Sequence, residues 1–195
     1  MVFSSSIIDR IKNTISLKDE EPIHIHEPYF NDSNAYDYIK ECLDKGWVSS
    51  SGKWVSKFEN QIADFTGSRY AIAVSNGTVA LRLALYLVGV RSNDEVIVPP
   101  LSFVATANAI SHLGANVHFV DIEPKSLGLC PIALENRLNE VAELRNGSIF
   151  NKLTGNKISA VVPVHVFGLP AKIEGLKKVC LKWNLPLVED SAEAL

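Results

Sequence analysis

The sequence is poor in cysteine, has no excess of basic charge and contains no long uncharged apolar run. Its three cysteines, Cys42, Cys130 and Cys180, are widely separated and form no CxxC pair. This spacing predicts reduced thiols and excludes a disulfide framework. Among 195 residues, 19 Lys and Arg face 22 Asp and Glu, and no basic stripe occurs. That balance argues against a nucleic-acid partner, and the short apolar runs argue against a membrane span.

Several ligand-binding motifs are also absent. The chain has neither the GxGxxG fingerprint of dinucleotide-binding folds nor a P-loop lysine. His112 and His118 have no companion carboxylates at metal-ligand spacing, so no metal site is predicted. Asp9, Arg10 and Lys12 interrupt the apolar residues near the N-terminus. We therefore expect no signal peptide and a cytoplasmic location.

The beginning of the chain differs in pattern from the remainder. Apolar residues recur there at the spacing of a short amphipathic helix, at Phe3, Ile7, Ile8, Ile11 and Ile15. We assign residues 1–34 to an N-terminal arm with an extended segment over 21–34, and residues 35–195 to one large domain. Within that domain, helices are predicted over residues 35–45 and 55–65, each ended by a glycine.

From residue 70 onward, short apolar runs alternate with helical segments. Strands are predicted at residues 70–74, 95–98, 116–120, 158–162 and 185–189. Helices are predicted between them at residues 78–88, 103–113, 131–144 and 171–183. This alternation is typical of an α/β fold with a mainly parallel sheet and helices on both faces. Residues 145–157 interrupt it, and their turn signals predict either a small hairpin or a plain surface loop.

The last predicted strand ends in a carboxylate, because Leu187-Val188-Glu189 leads directly into Asp190. In an open α/β sheet, ligands bind just beyond the carboxyl ends of the strands. Asp190 is therefore a candidate for an acid that faces a ligand.

The first predicted strand leads into Ser75-Asn76-Gly77-Thr78, where a helix begins. Glycine allows the backbone to approach a ligand closely. The N–H groups of the helix N-terminus favour an anion, and Thr78 adds a hydroxyl. The same residues also make a good turn and N-cap, so by themselves they leave a purely structural role open.

Two further residues follow predicted strands. Phe103 opens a helix after Pro99-Pro100, where an aromatic side chain can either stack on a planar ring or belong to the core. His165 lies beyond the strand at 158–162, and its role is left unassigned. A helix N-terminus for a phosphate, an aromatic face and a strand-end carboxylate together suit pyridoxal 5′-phosphate (PLP). A carboxylate at the pyridine nitrogen keeps that nitrogen protonated, and a protonated ring stabilises a carbanion.

Four motifs, in this order, resemble those of the DegT/DnrJ/EryC1/StrS family of PLP-dependent nucleotide-sugar aminotransferases. They are Asn76-Gly77-Thr78-Val79-Ala80-Leu81, Pro99-Pro100-Leu101-Ser102-Phe103-Val104-Ala105-Thr106-Ala107-Asn108, Pro163-Val164-His165-Val166-Phe167-Gly168 and Val188-Glu189-Asp190-Ser191-Ala192-Glu193. The resemblance extends from about Pro28 to Leu195. The loop at residues 46–52 and the insertion at 145–157 look most like the branch related to legionaminic acid biosynthesis, which aminates UDP-linked 4-keto-6-deoxy amino sugars.

The resemblance implies the large domain of the PLP-dependent transferase fold type I, incomplete in this chain, and a role for individual residues. Gly77 and Thr78 would hold the cofactor phosphate, and Phe103 would stack on the ring. Asp190 would pair with the pyridine nitrogen. Glu193 falls where members of the family place a polar residue near the ring hydroxyl.

The resemblance also implies the reaction partners. The substrate would be a nucleotide-linked 4-keto-6-deoxy (amino) sugar used for surface polysaccharides, with an amino donor such as glutamate. Ser49 would lie close to that substrate. The active site would be shared between the two subunits of a homodimer.

The sequence departs from the family pattern at its end. The resemblance implies a Ser-x-x-x-Lys segment, whose lysine forms the Schiff base, and then a small C-terminal domain, and we expect both beyond Leu195. We therefore assign no catalytic residue and expect the chain alone to be inactive. Two other functions stay open: a PLP-dependent sugar dehydratase, in which histidine replaces the lysine, and a non-catalytic fragment or dimer partner.

Overall fold

A computed structural model describes residues 2–15, 30 and 33–194. The chain divides into two compact units, Met1–Ala71 and Ile72–Leu195. The extended segment predicted over residues 21–34 lies almost entirely outside the described residues, and the domain boundary at residue 34 stays a prediction. In the part of the chain that the structure describes, no helix is long and apolar enough to cross a membrane.

The described residues of the first unit form three helices, α1 (Val2–Ile15), α2 (Ala35–Asp44) and α3 (Lys53–Thr66). All three were expected from the apolar spacing. Glu41 joins α2 to α3, because Lys45 Nζ lies 2.6 Å from its carboxylate and Lys53 pairs with the same oxygen. Hydrogen bonds from these two lysines lower the pKa of Glu41 to about 2. The rings of Tyr38 and Trp54 lie 4.2 Å apart between their centroids.

The second unit contains the predicted alternation of helices and strands. Its elements are α4 (Gly77–Leu87), β1 (Glu95–Val98), α5 (Val104–Ser111), β2 (Asn116–Phe119), α6 (Pro131–Val141), β3 (Ala142–Arg145), β4 (Ser148–Asn151), β5 (Lys157–Val161) and α7 (Ile173–Trp183). The five strands form one sheet in the order β2-β1-β5-β4-β3. The pairs β1–β2 and β1–β5 are parallel, whereas the pairs β3–β4 and β4–β5 are antiparallel.

The strand β5 has two different neighbours along the edge that faces away from β1. At its beginning, Ile158 pairs with Ile149 of the antiparallel strand β4. At its end, Val161 bridges to Leu187 in parallel, and Asp190 bridges to Val164 just beyond. The predicted strand at 185–189 is therefore present as a short extended segment held by isolated bridges. It brings Asp190 to the C-terminal edge of the sheet.

Helices cover both faces of the sheet, as predicted. On one face, Val96 and Val98 of β1 pack with Leu85 of α4 and Ile110 of α5 in one core cluster. On the other face, Ile97 packs with residues of α6 and α7, chiefly Leu134, Leu138, Leu176 and Val179. Alternate residues of β1 thus point into opposite cores, and every residue of this strand is buried.

Two predicted elements differ from the structure. Residues 70–74 were expected to form a buried strand, but no strand among the described residues pairs with them. Tyr70 and Ile72 are 78% and 72% exposed. An apolar run becomes a strand only where a neighbour accepts its backbone hydrogen bonds. The helix predicted over 131–144 ends at Val141, because residues 142–145 pair with β4 instead.

The insertion at 145–157 contains a β-hairpin, so the first of its two predicted forms is confirmed. Asn146 and Gly147 connect β3 to β4, and both have left-handed backbones with φ of 49° and 77°. Asn-Gly is the preferred pair for such a two-residue hairpin turn, because both residues tolerate positive φ.

A buried carboxylate attaches this hairpin to the start of β1. Glu95 is 4% exposed and accepts hydrogen bonds from Asn151 Nδ2 at 2.9 Å and from Thr154 Oγ1. Arg137 Nε donates to His118 Nε2 at 3.0 Å, so the His118 proton is on Nδ1 and is donated to Glu95 at 2.7 Å. Burial by itself raises the pKa of Glu95, but these hydrogen bonds outweigh it and lower the pKa below the ordinary 4.5.

Replacing Glu95 by glutamine should therefore weaken the second unit in a pH-dependent way. At pH 7 we expect E95Q to lower the free energy of unfolding by about 1–3 kcal/mol, because a charged acceptor of three hydrogen bonds is lost. A carboxylate with a lowered folded-state pKa stabilises the fold above its ordinary pKa. That stability disappears as pH falls through the lowered value. Urea unfolding between pH 7 and pH 3 should show the difference between wild type and variant shrinking in the acid range.

Glu143→Gln provides a matched control on the same hairpin. The Glu143 carboxylate is exposed and pairs with Arg145 at 2.5 Å, and the hydrogen bond from Arg145 also lowers its pKa. Surface ion pairs contribute little to stability because solvent screens them, so E143Q should change the stability and its pH dependence much less than E95Q. Equal effects of the two substitutions would contradict the role given to Glu95.

Candidate cofactor site

The N-terminus of α4 presents unpaired backbone donors. Asn76 caps the helix, since its side-chain oxygen accepts the Val79 N–H at 3.0 Å. Its carbonyl accepts the Ala80 N–H at 3.1 Å. The first N–H groups of an α-helix have no acceptor within the helix. Those of Gly77 and Thr78 are therefore available to an anion, and the helix dipole favours negative charge at this point.

Gly77 is not required by the fold. A Cβ atom built on it would meet no other atom within 4 Å, and its φ is outside the left-handed region that favours glycine. The backbone at this helix N-terminus is therefore open to a group that is not part of the described chain.

Phe103 is 76% exposed and immediately precedes α5, at its N-cap position. The sequence left open whether Phe103 belongs to the core or stacks on a planar ring. Its exposure shows that it does not belong to the core of the described structure. An exposed aromatic ring at the carboxyl end of β1 offers a face for stacking.

Asp190 is buried, with 7% of its surface exposed, and its carboxylate has a polar partner for each oxygen. Thr106 Oγ1 donates to Oδ2 at 2.6 Å, and the Ala192 N–H donates to Oδ1 at 3.3 Å. Its backbone is fixed in the sheet, since its N–H donates to Pro163 O at 2.9 Å and its carbonyl accepts the His165 N–H at 3.1 Å. The carboxylate therefore has one defined orientation, on the face covered by α5.

His165 connects three segments next to this site. The Ala171 N–H donates to its Nδ1 at 3.1 Å, so the ring proton is on Nε2, which lies 3.1 Å from Glu189 Oε2. Glu189 precedes Asp190 and therefore points to the opposite face of the extended segment. The ring of His165 is thus directed away from the Asp190 carboxylate, and its contacts stabilise the loop before α7.

Glu193 and Ser49 are placed differently from the other predicted site residues. Glu193 is exposed, and its Oε2 accepts the N–H of Phe167 at 2.6 Å. Phe167 has a left-handed backbone with φ of 56°. Ser49 is exposed and belongs to the first unit, where it borders a cavity of about 150 Å³ with Glu41 and Lys53. Ser49 is therefore not among the residues that the second unit brings together.

The second unit places Phe103 after the carboxyl end of β1 and Asp190 just beyond β5. The third predicted feature, the α4 N-terminus, belongs to a helix that shares a core cluster with β1 and α5. These features can bind an anionic group, stack on a planar ring and accept a hydrogen bond from a protonated nitrogen. Thr106 was missed by the sequence analysis. No local signal singled it out, because α5 contains two other polar residues, Asn108 and Ser111, and the partner of Thr106 is 84 positions away.

In the described part of the chain, neither metal-ligating side chains nor lysines form a cluster comparable to this site. No group of three or more His, Cys, Asp or Glu side chains there could hold a metal ion. Lys172 Nζ lies 2.7 Å from Glu123. Its hydrogen bond, together with those from Ser126, lowers the pKa of Glu123 to about 2. The three cysteines are free, as predicted, and burial raises the pKa of Cys180 to about 11.

Comparison with solved structures supports the same fold. The crystal structure of 3-amino-5-hydroxybenzoic acid (AHBA) synthase superimposes with a TM-score of 0.72 at 29% sequence identity, covering 90% of this chain and 41% of that chain. The predicted fold class is thereby confirmed: a mainly parallel α/β sheet of the PLP-dependent transferase fold type I.

Sequence comparisons give curated relatives and a family. The GDP-perosamine synthase of Vibrio cholerae is 38% identical over 173 residues, which cover 89% of this chain and 42% of the relative. That of Escherichia coli O157:H7 is 40% identical over 158 residues, covering 81% of this chain and 39% of the relative. The chain thus spans about two fifths of the length of these relatives. The model of the DegT/DnrJ/EryC1/StrS aminotransferase family matches residues 30–195, and this chain belongs to that family.

Proposed function

We propose that this chain forms the cofactor-binding part of a PLP-dependent aminotransferase that acts on nucleotide-linked sugars. The substrate is a nucleotide-linked 4-keto-6-deoxy sugar or amino sugar, the amino donor is a compound such as glutamate, and the product serves surface polysaccharides. Family membership supports the reaction type. Two curated relatives are named GDP-perosamine synthases, which supports a nucleotide-linked substrate. Assignment to the legionaminic branch stays a prediction from the resemblance.

The free space beside Gly77 is the observation that carries this proposal. It lies at a helix N-terminus, where the N–H groups of Gly77 and Thr78 are available and no protein atom blocks the approach of a ligand. A cofactor phosphate suits this position, because it is anionic and needs close approach to the backbone. The exposed ring of Phe103 and the buried carboxylate of Asp190 fit the other two parts of PLP, its planar ring and its pyridine nitrogen.

When bound, PLP supplies an electron sink for the carbanion at the substrate carbon. The residues of this chain bind and orient it. Gly77 and Thr78 hold the phosphate, and Phe103 covers one face of the ring. Asp190 holds a proton on the pyridine nitrogen, since an adjacent carboxylate favours the cation. We assign Glu193 to the ring hydroxyl, as the resemblance implies, Ser49 to the substrate, and no catalytic residue within this chain.

Gly77→Ala should separate cofactor binding from folding. The added Cβ meets no protein atom, so thermal stability should be unchanged or slightly higher. We expect the affinity for pyridoxamine 5′-phosphate to fall about tenfold, or about 1.4 kcal/mol, because the methyl group occupies the space proposed for the phosphate. The affinity for pyridoxamine, which has no phosphate, should stay the same. Isothermal titration of both ligands against the 195-residue chain measures the difference.

Gly175→Ala is the matched control. A Cβ at Gly175 would lie 2.9 Å from Pro131 Cγ, between α7 and α6. We therefore expect G175A to lower the free energy of unfolding by about 1–3 kcal/mol while the preference for the phosphorylated ligand is retained. An unchanged preference in G77A would contradict the phosphate assignment.

We further propose that the protein acts as a cytoplasmic homodimer. Its free cysteines suit a reducing compartment. Large apolar side chains are exposed in both units, among them Phe65, Tyr70, Ile72, Leu87 and Leu181, each at least 70% exposed. Extensive apolar patches are uncommon on soluble monomers, because their burial stabilises an interface by about 25 cal/mol per Å².

Light scattering during size-exclusion chromatography tests the assembly. At micromolar concentration we expect a dimer or a larger soluble species, because the exposed apolar side chains favour association. A single monodisperse monomer peak over this concentration range would show that the dimer assignment is wrong.

A further inference from the structure

The Asp190 carboxylate accepts a hydrogen bond from one buried side chain, the hydroxyl of Thr106. Thr106 is 2% exposed, and its Oγ1 lies 2.6 Å from Asp190 Oδ2. A carboxylate can only accept hydrogen bonds. The direction of this bond is therefore fixed, with Thr106 as the donor.

Ser102 extends the chain of hydroxyl groups by one step. Its Oγ lies 2.6 Å from Thr106 Oγ1. Because the Thr106 proton is donated to Asp190, Ser102 is the donor in this second contact. The alternative acceptor for the Ser102 hydroxyl, the carbonyl of Phe103, is farther away at 3.1 Å. The Ser102 hydroxyl therefore donates to Thr106, and the Thr106 hydroxyl donates to the Asp190 carboxylate.

The same helical turn carries Phe103 and Thr106. The Thr106 N–H donates to the Phe103 carbonyl at 3.2 Å, so the two residues are joined through the first turn of α5. The exposed ring and the hydroxyl that holds the carboxylate therefore belong to one rigid element.

We propose that Thr106 is the positioning residue that orients the Asp190 carboxylate toward the pyridine nitrogen of the cofactor. This inference rests on the function proposed above. Oδ2 is fixed by Thr106 and Oδ1 by the Ala192 N–H, so the plane of the carboxylate is set from both ends. Without the hydroxyl, the carboxylate would lose its buried side-chain donor and could rotate away from the ring.

A pair of ligands distinguishes this role from a general contribution to folding. Pyridoxamine 5′-phosphate contains the ring nitrogen, whereas 1-deazapyridoxamine 5′-phosphate has carbon in its place. Positioning of Asp190 affects only the first ligand, because only the nitrogen interacts with the carboxylate. A folding defect would weaken both ligands equally. The measured quantity is therefore the ratio of the two dissociation constants for the 195-residue chain.

We expect the wild type to prefer the nitrogen-containing ligand by about tenfold, as a charge-assisted hydrogen bond would provide. Thr106→Val, which keeps the shape and removes the hydroxyl, should reduce this preference to about twofold or less. Thr106→Ser retains a hydroxyl and should keep most of the preference. If the valine variant does not fold, Thr106→Ala removes the same hydroxyl from a smaller side chain and gives the same readout.

A double-mutant cycle with Asp190→Asn completes the test. If Thr106 acts through the carboxylate, Thr106→Val should cause no further loss of preference in the D190N background. A T106V variant that keeps the wild-type preference would overturn the inference and leave the proposed function intact. A wild-type chain that does not distinguish the two ligands would contradict the cofactor role of Asp190 itself.

Discussion

The burial of β1 between two helical layers is the constraint on which the second unit depends. Val96 and Val98 point into the core beneath α4 and α5, and Ile97 points into the core beneath α6 and α7. A parallel strand buried on both faces must be followed by a helix that returns across the sheet. The beginnings of those helices therefore lie near the carboxyl ends of the strands. Phe103, which follows β1 and immediately precedes α5, takes its place from this arrangement.

Much of the fold could be predicted because local patterns and tertiary structure agree. The glycines after helices α2 and α3, Gly46 and Gly67, both have left-handed backbones with φ near 70°, and both marked helix ends in the sequence. Asn146-Gly147 likewise specified its turn. The errors arose where a distant partner decides the structure. Residues 70–74 have the composition of a strand, but no strand of the described chain pairs with them, and the end of α6 is set by pairing with β4.

In the candidate site, too, features set by the local sequence were predictable and features set by distant contacts were not. Gly77, Phe103 and Asp190 were identifiable because each follows a predicted strand and is a residue type suited to one part of the cofactor. The orientation of the carboxylate was not identifiable, because Thr106 and Asp190 are 84 positions apart and meet only after the sheet has formed. His165, in contrast, lies in a recognisable motif but does not contact the Asp190 carboxylate. Its ring bonds to Glu189 and Ala171 and is directed away from Asp190.

Two segments, β4 and the segment that carries Asp190, pair along the same edge of β5. This sharing limits where additional residues can be inserted into the chain. The hairpin occupies the edge as far as Ile158, and the segment that carries Asp190 begins to pair at Val161. Only two residues, Ser159 and Ala160, separate these contacts. Residues inserted into the hairpin can therefore be accommodated as a longer loop in solvent. They cannot extend the pairing of β4 along β5 without displacing from the sheet the segment that carries Asp190.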